Sequence, residues 1–269
     1  MKGQKYLSRL LLLAAVGLFL LAGCAPAAKE LPSGEGAVWN LVVIGDSSMW
    51  EMGAGIAQKV QEDTGVQVVL DDFALPALRA STVLEVLQTG KSPNARLESL
   101  PAAVKEAEMV VMFANPVGSV DPTSPLDLEG CFGCSAPNNC APEAFALYQQ
   151  HLEAIWAEII NARAGQPTLL VATDIYNPLL EQWDQCSIYE ACNICWQGMS
   201  TAARQAAEAH GIPFISRYDA FDGQDHREDP RLKGFIRNDG EHPTAEAGQF
   251  FGELIVKLGY QPVQVTLTK

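Results

Sequence analysis

Five short apolar runs, at 39–45, 66–70, 109–114, 168–173 and 213–216, alternate along the chain with helical patterns. The run at 39–45 is nearly unbroken, which suits a strand buried on both faces. Helices are predicted at 49–63, closed by Gly65, and at 81–88, with Ser81 as N-cap and Gly90 as stop. Val83, Leu84 and Leu87 give the second of these its apolar face. Longer helices are predicted at 142–164, around Ile155, Ile159 and Ile160, and at 197–210, closed by Gly211. A last helix at 243–258 has Pro243 early, where proline is tolerated, and Phe250, Phe251, Leu254, Ile255 and Leu258 as its buried face. Strands alternating with helices imply an α/β architecture, a mostly parallel sheet with helices on both faces. Ligands of such sheets bind beyond the carboxyl ends of the strands. Ser47, Asn115 and Asp174 all fall at predicted strand ends of that kind.

The residues before this pattern follow a different logic. Lys2, Lys5 and Arg9 precede an apolar run at 10–21, and Leu21-Ala22-Gly23-Cys24 follows. That layout is a secretory signal peptide, with an apolar run short for a membrane span. Small residues before a lone cysteine resemble a bacterial lipoprotein signal, which predicts cleavage after residue 23 and lipidation of Cys24. The alternatives are an uncleaved anchor and an ordinary signal peptide. Residues 24–36 then read as the lipidated cysteine and an Ala-, Pro- and Gly-rich tether, and 37–269 as one large domain. The expected location is the extracytoplasmic face of a membrane, held by a lipid anchor. Loss of the three cations of the signal region takes the net charge from −14 to −17. A surface this acidic excludes nucleic acid as a partner and leaves membrane attachment to acyl chains.

Beyond Cys24, six cysteines form two mirror-image clusters: Cys131-x-x-Cys134 with Cys140, and Cys186 with Cys192-x-x-Cys195. An exported protein favours disulfides, and six cysteines allow fifteen pairings. The alternative is a zinc site built from the two C-x-x-C pairs, with Cys140 and Cys186 bridged. Either way the clusters read as staples on long loops rich in Gly, Pro and Asn.

The chemistry-bearing residues lie at the two ends of the domain. Gly45-Asp46-Ser47 follows the first strand, and Asp239-Gly240-Glu241-His242 precedes the last helix. A serine hydroxyl becomes a nucleophile when a histidine takes its proton and a carboxylate orients that histidine. Asp239 and His242, three residues apart beside a glycine, can form such a pair. The Ser47 N–H and the Asn115 side chain are the expected oxyanion donors. Each motif alone is ordinary turn chemistry; their joint occurrence at strand ends favours a site. The chain has no Gly-x-Ser-x-Gly elbow, phosphate loop or His-Glu-x-x-His, and no cofactor or metal is expected. Of the remaining histidines, His151 falls in a long helix, His210 at a helix end, and His226 on what reads as a solvated acidic loop. Trp183, Tyr189 and Trp196 suit either a sugar-stacking surface or the packing of the stapled loops.

Gly45-Asp46-Ser47, Asn115 after the third strand and Asp239-x-x-His242 together resemble the SGNH (GDSL) hydrolases over residues 42–258. The resemblance implies a three-layer α/β/α sandwich with a flavodoxin-like sheet. It also implies a carboxylic ester hydrolase acting on a small-molecule or glycan acyl ester. By match, Ser47 is the nucleophile, His242 the base, Asp239 its orienting partner and Asn115 an oxyanion donor, with Asp46 supporting the turn. Two departures stand out. Residues 71–80 hold no glycine where the family has one whose N–H joins the oxyanion hole, and the block around the asparagine reads Phe113-Ala114-Asn115-Pro116. Because of them, a non-catalytic ligand- or carbohydrate-binding lipoprotein on the same scaffold is the alternative reading.

Overall fold

A computed structural model describes residues 30–92, 94–116 and 142–263. In chain order the elements are β1 (Val38–Gly45), α1 (Met52–Thr64), β2 (Gln67–Ala74), α2 (Ala80–Thr89), α3 (Leu100–Glu106), β3 (Met109–Met112) and α4 (Pro142–Ala162). They continue with β4 (Leu169–Thr173), α5 (Leu180–Gln185), α6 (Tyr189–Glu208), β5 (Phe214–Ile215), α7 (Arg217–Asp222) and α8 (Ala245–Leu258). Short 3-10 turns occupy Ser47–Met49 and Ala95–Ser99.

All strand pairs are parallel, in the order β2-β1-β3-β4-β5. This is the flavodoxin-like order, and its switch point lies between β1 and β3. The side-chain alternation of β1 explains the three layers. Val42 and Ile44 point into a core shared with α2, α3, α4 and α6. Leu41 and Val43 point into a second core with α1 and α8. All four are fully buried, each side chain contributing about 1.5–3 kcal/mol.

Helices α1 and α8 meet at glycines. A Cβ on Gly55 would lie 2.2 Å from the Gly248 carbonyl carbon, and one on Gly248 2.7 Å from the Glu51 carbonyl oxygen. Only hydrogen fits at this crossing. It draws the beginning of the domain, which carries Ser47, against the segment that carries His242.

Several boundaries differ from the sequence expectation. Helix α1 starts at Met52, not 49, because the chain first makes the 3-10 turn and then passes through Glu51 in the left-handed region (φ 59°). Helix α2 is capped by Arg79 rather than Ser81, with no side-chain capping bond. Pro243 lies outside α8, where it bridges Ile236, and Thr244 caps the helix by accepting from the Ala247 N–H at 3.2 Å. Phe251 and Ile255 are buried as expected, whereas Leu258 at the helix end is 42% exposed. Helix α6 begins eight residues before the predicted 197, so Cys192 and Cys195 sit on its buried face rather than in a loop. Cys186, Cys192 and Cys195 are in disulfide linkage; Cys131, Cys134 and Cys140 lie outside the described residues, as do Cys24 and the signal region. The last part of the predicted tether touches the domain: Leu31 packs on the core that β1, α1 and α8 share, and the Trp39 Nε1–H donates to the Pro32 carbonyl at 2.8 Å.

Candidate active site

Ser47 follows β1 directly. Asp46 holds the turn: its Oδ1 accepts the Ser48 N–H at 2.9 Å, and the Met49 N–H closes on the Asp46 carbonyl at 3.0 Å. This leaves the Ser47 N–H without a hydrogen-bond partner among the described residues, at the start of a turn whose first amides are available to an anion. Beneath it, the fully buried Arg217 donates through Nη1 to the Ser48 carbonyl (2.6 Å) and through Nε to the Asp174 carbonyl (2.6 Å). Its guanidinium lies over the rings of Phe113 and Tyr176. The serine turn is thus anchored to the end of β4.

Asn115 follows β3 and reaches across the switch point. Its Nδ2 donates to Asp46 Oδ2 at 2.5 Å, so the second Asp46 oxygen fixes the amide beside the serine. The loop after β2 arches over the end of β1 to the same place. The Leu75 N–H donates to the Gly45 carbonyl, the Asn115 N–H to the Leu78 carbonyl, and the Ala80 N–H to the Asn115 carbonyl. In this loop Ala77 has φ 52°. The left-handed conformation that favours glycine is kept here by an alanine, at a cost of about 1–2 kcal/mol. An alanine thus holds a backbone conformation that favours glycine in a loop that has none, and Ala77 lines the cavity beside Ser47.

His242 lies in a small hairpin. The Arg237 N–H donates to the His242 carbonyl (2.8 Å), and the Thr244 N–H to the Phe235 carbonyl (2.9 Å). Arg237 ties this hairpin to Glu51 by an ion pair. Asp239 accepts at Oδ1 from the backbone N–H groups of Glu241 and His242, each at 3.0 Å, and its Oδ2 stands 3.1 Å from His242 Nδ1. The two backbone donors, helped by the imidazole, hold the Asp239 carboxyl down at about 2. It is therefore an anion throughout the neutral range. Trp50 stacks on the imidazole, with centroids 4.5 Å apart at 22°.

Ser47, Asn115 and His242 line one cavity of about 340 Å³, together with Asp46, Ala77, Arg79, Tyr176, Trp196 and Glu241. The structure gathers four of the residues singled out from the sequence, since Asp239 reaches the cavity through His242. No hydrogen bond joins the Ser47 hydroxyl to the imidazole; in ligand-free sites such contacts are often long. Asp174 is not part of the cavity. Its carboxylate is buried and accepts from Ser200 Oγ, Ser216 Oγ and the backbone N–H groups of Arg217 and Tyr218. His226 is not solvated as expected. It is 8% exposed, stacked on Tyr218 at 3.8 Å, with Nε2 2.9 Å from Asp219. Trp183 and Tyr189 are core residues in edge contact, whereas Trp196 packs on Trp183 and also lines the cavity. Tyr176 opens the segment that carries Trp183, Tyr189 and Trp196, and its hydroxyl donates to the Glu241 carbonyl at 2.8 Å; Arg217 was not expected at the site. A single arginine after a two-residue strand carries no motif that would have flagged it.

No family model matches the chain, and no curated protein matches it in sequence. Solved structures match most of its length. The lipase Lip_vut3 from a goat rumen metagenome aligns with a TM-score of 0.58 at 18% identity, over 84% of this chain and 100% of that one. A lipase/acylhydrolase from Enterococcus faecalis aligns at 0.51 and 17% identity, over 85% and 100%. An inferred SGNH hydrolase from Slackia heliotrinireducens aligns at 0.50 and 16%, over 82% and 98%. The fold is that of the SGNH (GDSL) hydrolases. On this SGNH fold the cavity occupies the switch point, with its polar groups at the ends of β1 and β3 and in the hairpin before α8.

Proposed function

We propose that the protein is a serine hydrolase that cleaves acyl esters through Ser47, His242 and Asp239. One observation carries this reading: the serine, the asparagine and a histidine already paired with a carboxylate line the same cavity. In the proposed reaction Ser47 Oγ attacks the ester carbonyl carbon while His242 Nε2 takes its proton. Asp239, ionised and bonded at Nδ1, keeps that nitrogen protonated and offsets the charge of the imidazolium. The Ser47 N–H and the Asn115 amide, oriented by Asp46, stabilise the oxyanion. The carbonyl–alkoxy bond then breaks, and the imidazolium returns its proton to the departing alcohol. Water, deprotonated by His242, attacks the acyl-serine, releasing the carboxylic acid and restoring the hydroxyl.

The neighbours named as lipases and acylhydrolases are in keeping with this chemistry. The same proposal places the enzyme outside the cytoplasmic membrane, held by a lipid on Cys24, with its six other cysteines in disulfides. The experiment is hydrolysis of a chromogenic acetyl ester by the full-length protein. Turnover by the wild type, with at least a thousandfold loss in Ser47→Ala (about the range for removing a triad member), is the expected result. Equal turnover by both proteins would remove Ser47 as nucleophile. No turnover on a broad ester panel, together with no labelling by an organophosphonate, would leave a ligand-binding protein.

A further inference from the structure

We infer that Arg79 selects esters whose acyl part carries an anionic group, of the kind found in a hemiester of a dicarboxylic acid. This inference rests on the hydrolase reading for the identity of the acyl side. Arg79 lines the cavity with Ser47, Asn115 and His242 and is half-buried there. Its backbone is fixed: it bridges Asn115, and the next residue donates to the Asn115 carbonyl at 3.0 Å. Among the described residues it is the one arginine whose side chain has neither a hydrogen bond nor an ion pair. Each of the others is bonded to or paired with a carboxylate, hydroxyl or carbonyl oxygen.

That is a notable omission in a chain with 32 acidic residues against 18 basic ones. A half-buried guanidinium loses hydration and gains nothing in return unless an anion meets it. Its planar fork matches a carboxylate with two parallel hydrogen bonds. Two acidic residues share the cavity. Asp46 is occupied by the Ser48 N–H and the Asn115 amide. Glu241 is exposed at the lip beside His242 and repels an anion from that side.

The two faces of the sheet then decide which half of the ester is charged. Arg79 opens α2, which packs on one face, and His242 precedes α8, which packs on the other. Ser47, at the tip of β1, lies between them. The alcohol leaves on the side of the histidine that protonates it. The acyl chain extends to the opposite side, toward Arg79.

The test compares ethyl hydrogen succinate with its neutral isostere, ethyl succinamate, using full-length wild-type, Arg79→Gln and Arg79→Lys proteins. The wild type is expected to favour the hemiester in kcat/KM by about ten- to a hundredfold. Arg79→Gln brings the ratio close to one, and Arg79→Lys restores part of it. Turnover of both esters with the same ratio in wild type and Arg79→Gln overturns the inference and leaves the hydrolase reading intact. Calorimetric binding of the same two compounds to Ser47→Ala and Ser47→Ala/Arg79→Gln supplies an arm that needs no turnover. Tighter binding of the hemiester that depends on Arg79 supports the anion site even for a protein that cleaves neither ester. Equal binding of the two compounds overturns it.

Discussion

At the scale of single residues, two carboxyl groups with opposite surroundings divide the work. Asp239 sits at the surface with two backbone donors and stays ionised down to about pH 2. Its folded-state pKa lies below the ordinary carboxylate value, so the stability it contributes is present above about pH 4 and is lost as pH falls through 2. Asp222 is the reverse case. It is fully buried; its Oδ2 accepts the Asn177 N–H at 3.0 Å, while Oδ1 and Asn177 Nδ2 have no partners among the described residues. Burial pushes its pKa up to about 9. Between about pH 4 and 9 the folded protein keeps a proton that the unfolded chain releases, so this group lowers stability as pH rises through that window. Asp222→Asn is therefore expected to be more stable than wild type at pH 8, by an amount that grows at most about 1.4 kcal/mol per pH unit. The gain vanishes near pH 4. Urea denaturation of both proteins at pH 4, 6 and 8 checks this, and a pH-independent difference would contradict it.

At the scale of elements, the site depends on how closely α1 and α8 approach. Gly248→Val places methyl groups where the Glu51 carbonyl oxygen lies 2.7 Å from an ideal Cβ. We expect a destabilisation of about 1–3 kcal/mol from overpacking, with a fall in kcat/KM larger than the fall in folded fraction, because α8 carries the His242 hairpin with it. Thermal melts and ester kinetics on the same sample separate the two effects; loss of stability alone would show that the hairpin is positioned independently of the helix. The elements themselves were largely legible in the sequence. Apolar runs marked all five strands, and Gly65 and Gly90 marked helix ends, where they adopt φ 72° and 67°. Starts were less legible, since Glu51 and Arg79 cap their helices without a side-chain bond. Ser47, Asn115, Asp239 and His242 could be placed because strand ends and a Gly-containing turn are visible in one dimension. The partners of Arg217, Asp174 and His226 could not be read, because they lie on other elements and only the folded chain brings them together.

At the scale of the whole molecule, the proposed enzyme joins a fold with an open cavity to an N-terminal segment that would fix it to a membrane. Intact-mass measurement of the protein extracted from membranes reads the two features together. A chain beginning at Cys24 with an acyl adduct, and a gain of two hydrogens per bridge on reduction, is expected. Cys24→Ala should abolish the adduct and release the protein from the membrane fraction. A mass equal to the unprocessed chain, or one unchanged by reduction, would contradict the lipid anchor or the disulfides respectively.

The glycine crossing also sets an order in time. Residues 38–64 fold into β1 and α1 with the serine turn between them, but the apolar face of α1 is covered by Phe251 and Ile255 of α8. During synthesis Ser47 thus emerges nearly two hundred residues before His242. Until 245–258 follow, the chain has an open core on one side of its sheet and a serine turn without its histidine neighbour at the tip. Closing that core and bringing His242 to the serine turn therefore both wait for the same segment.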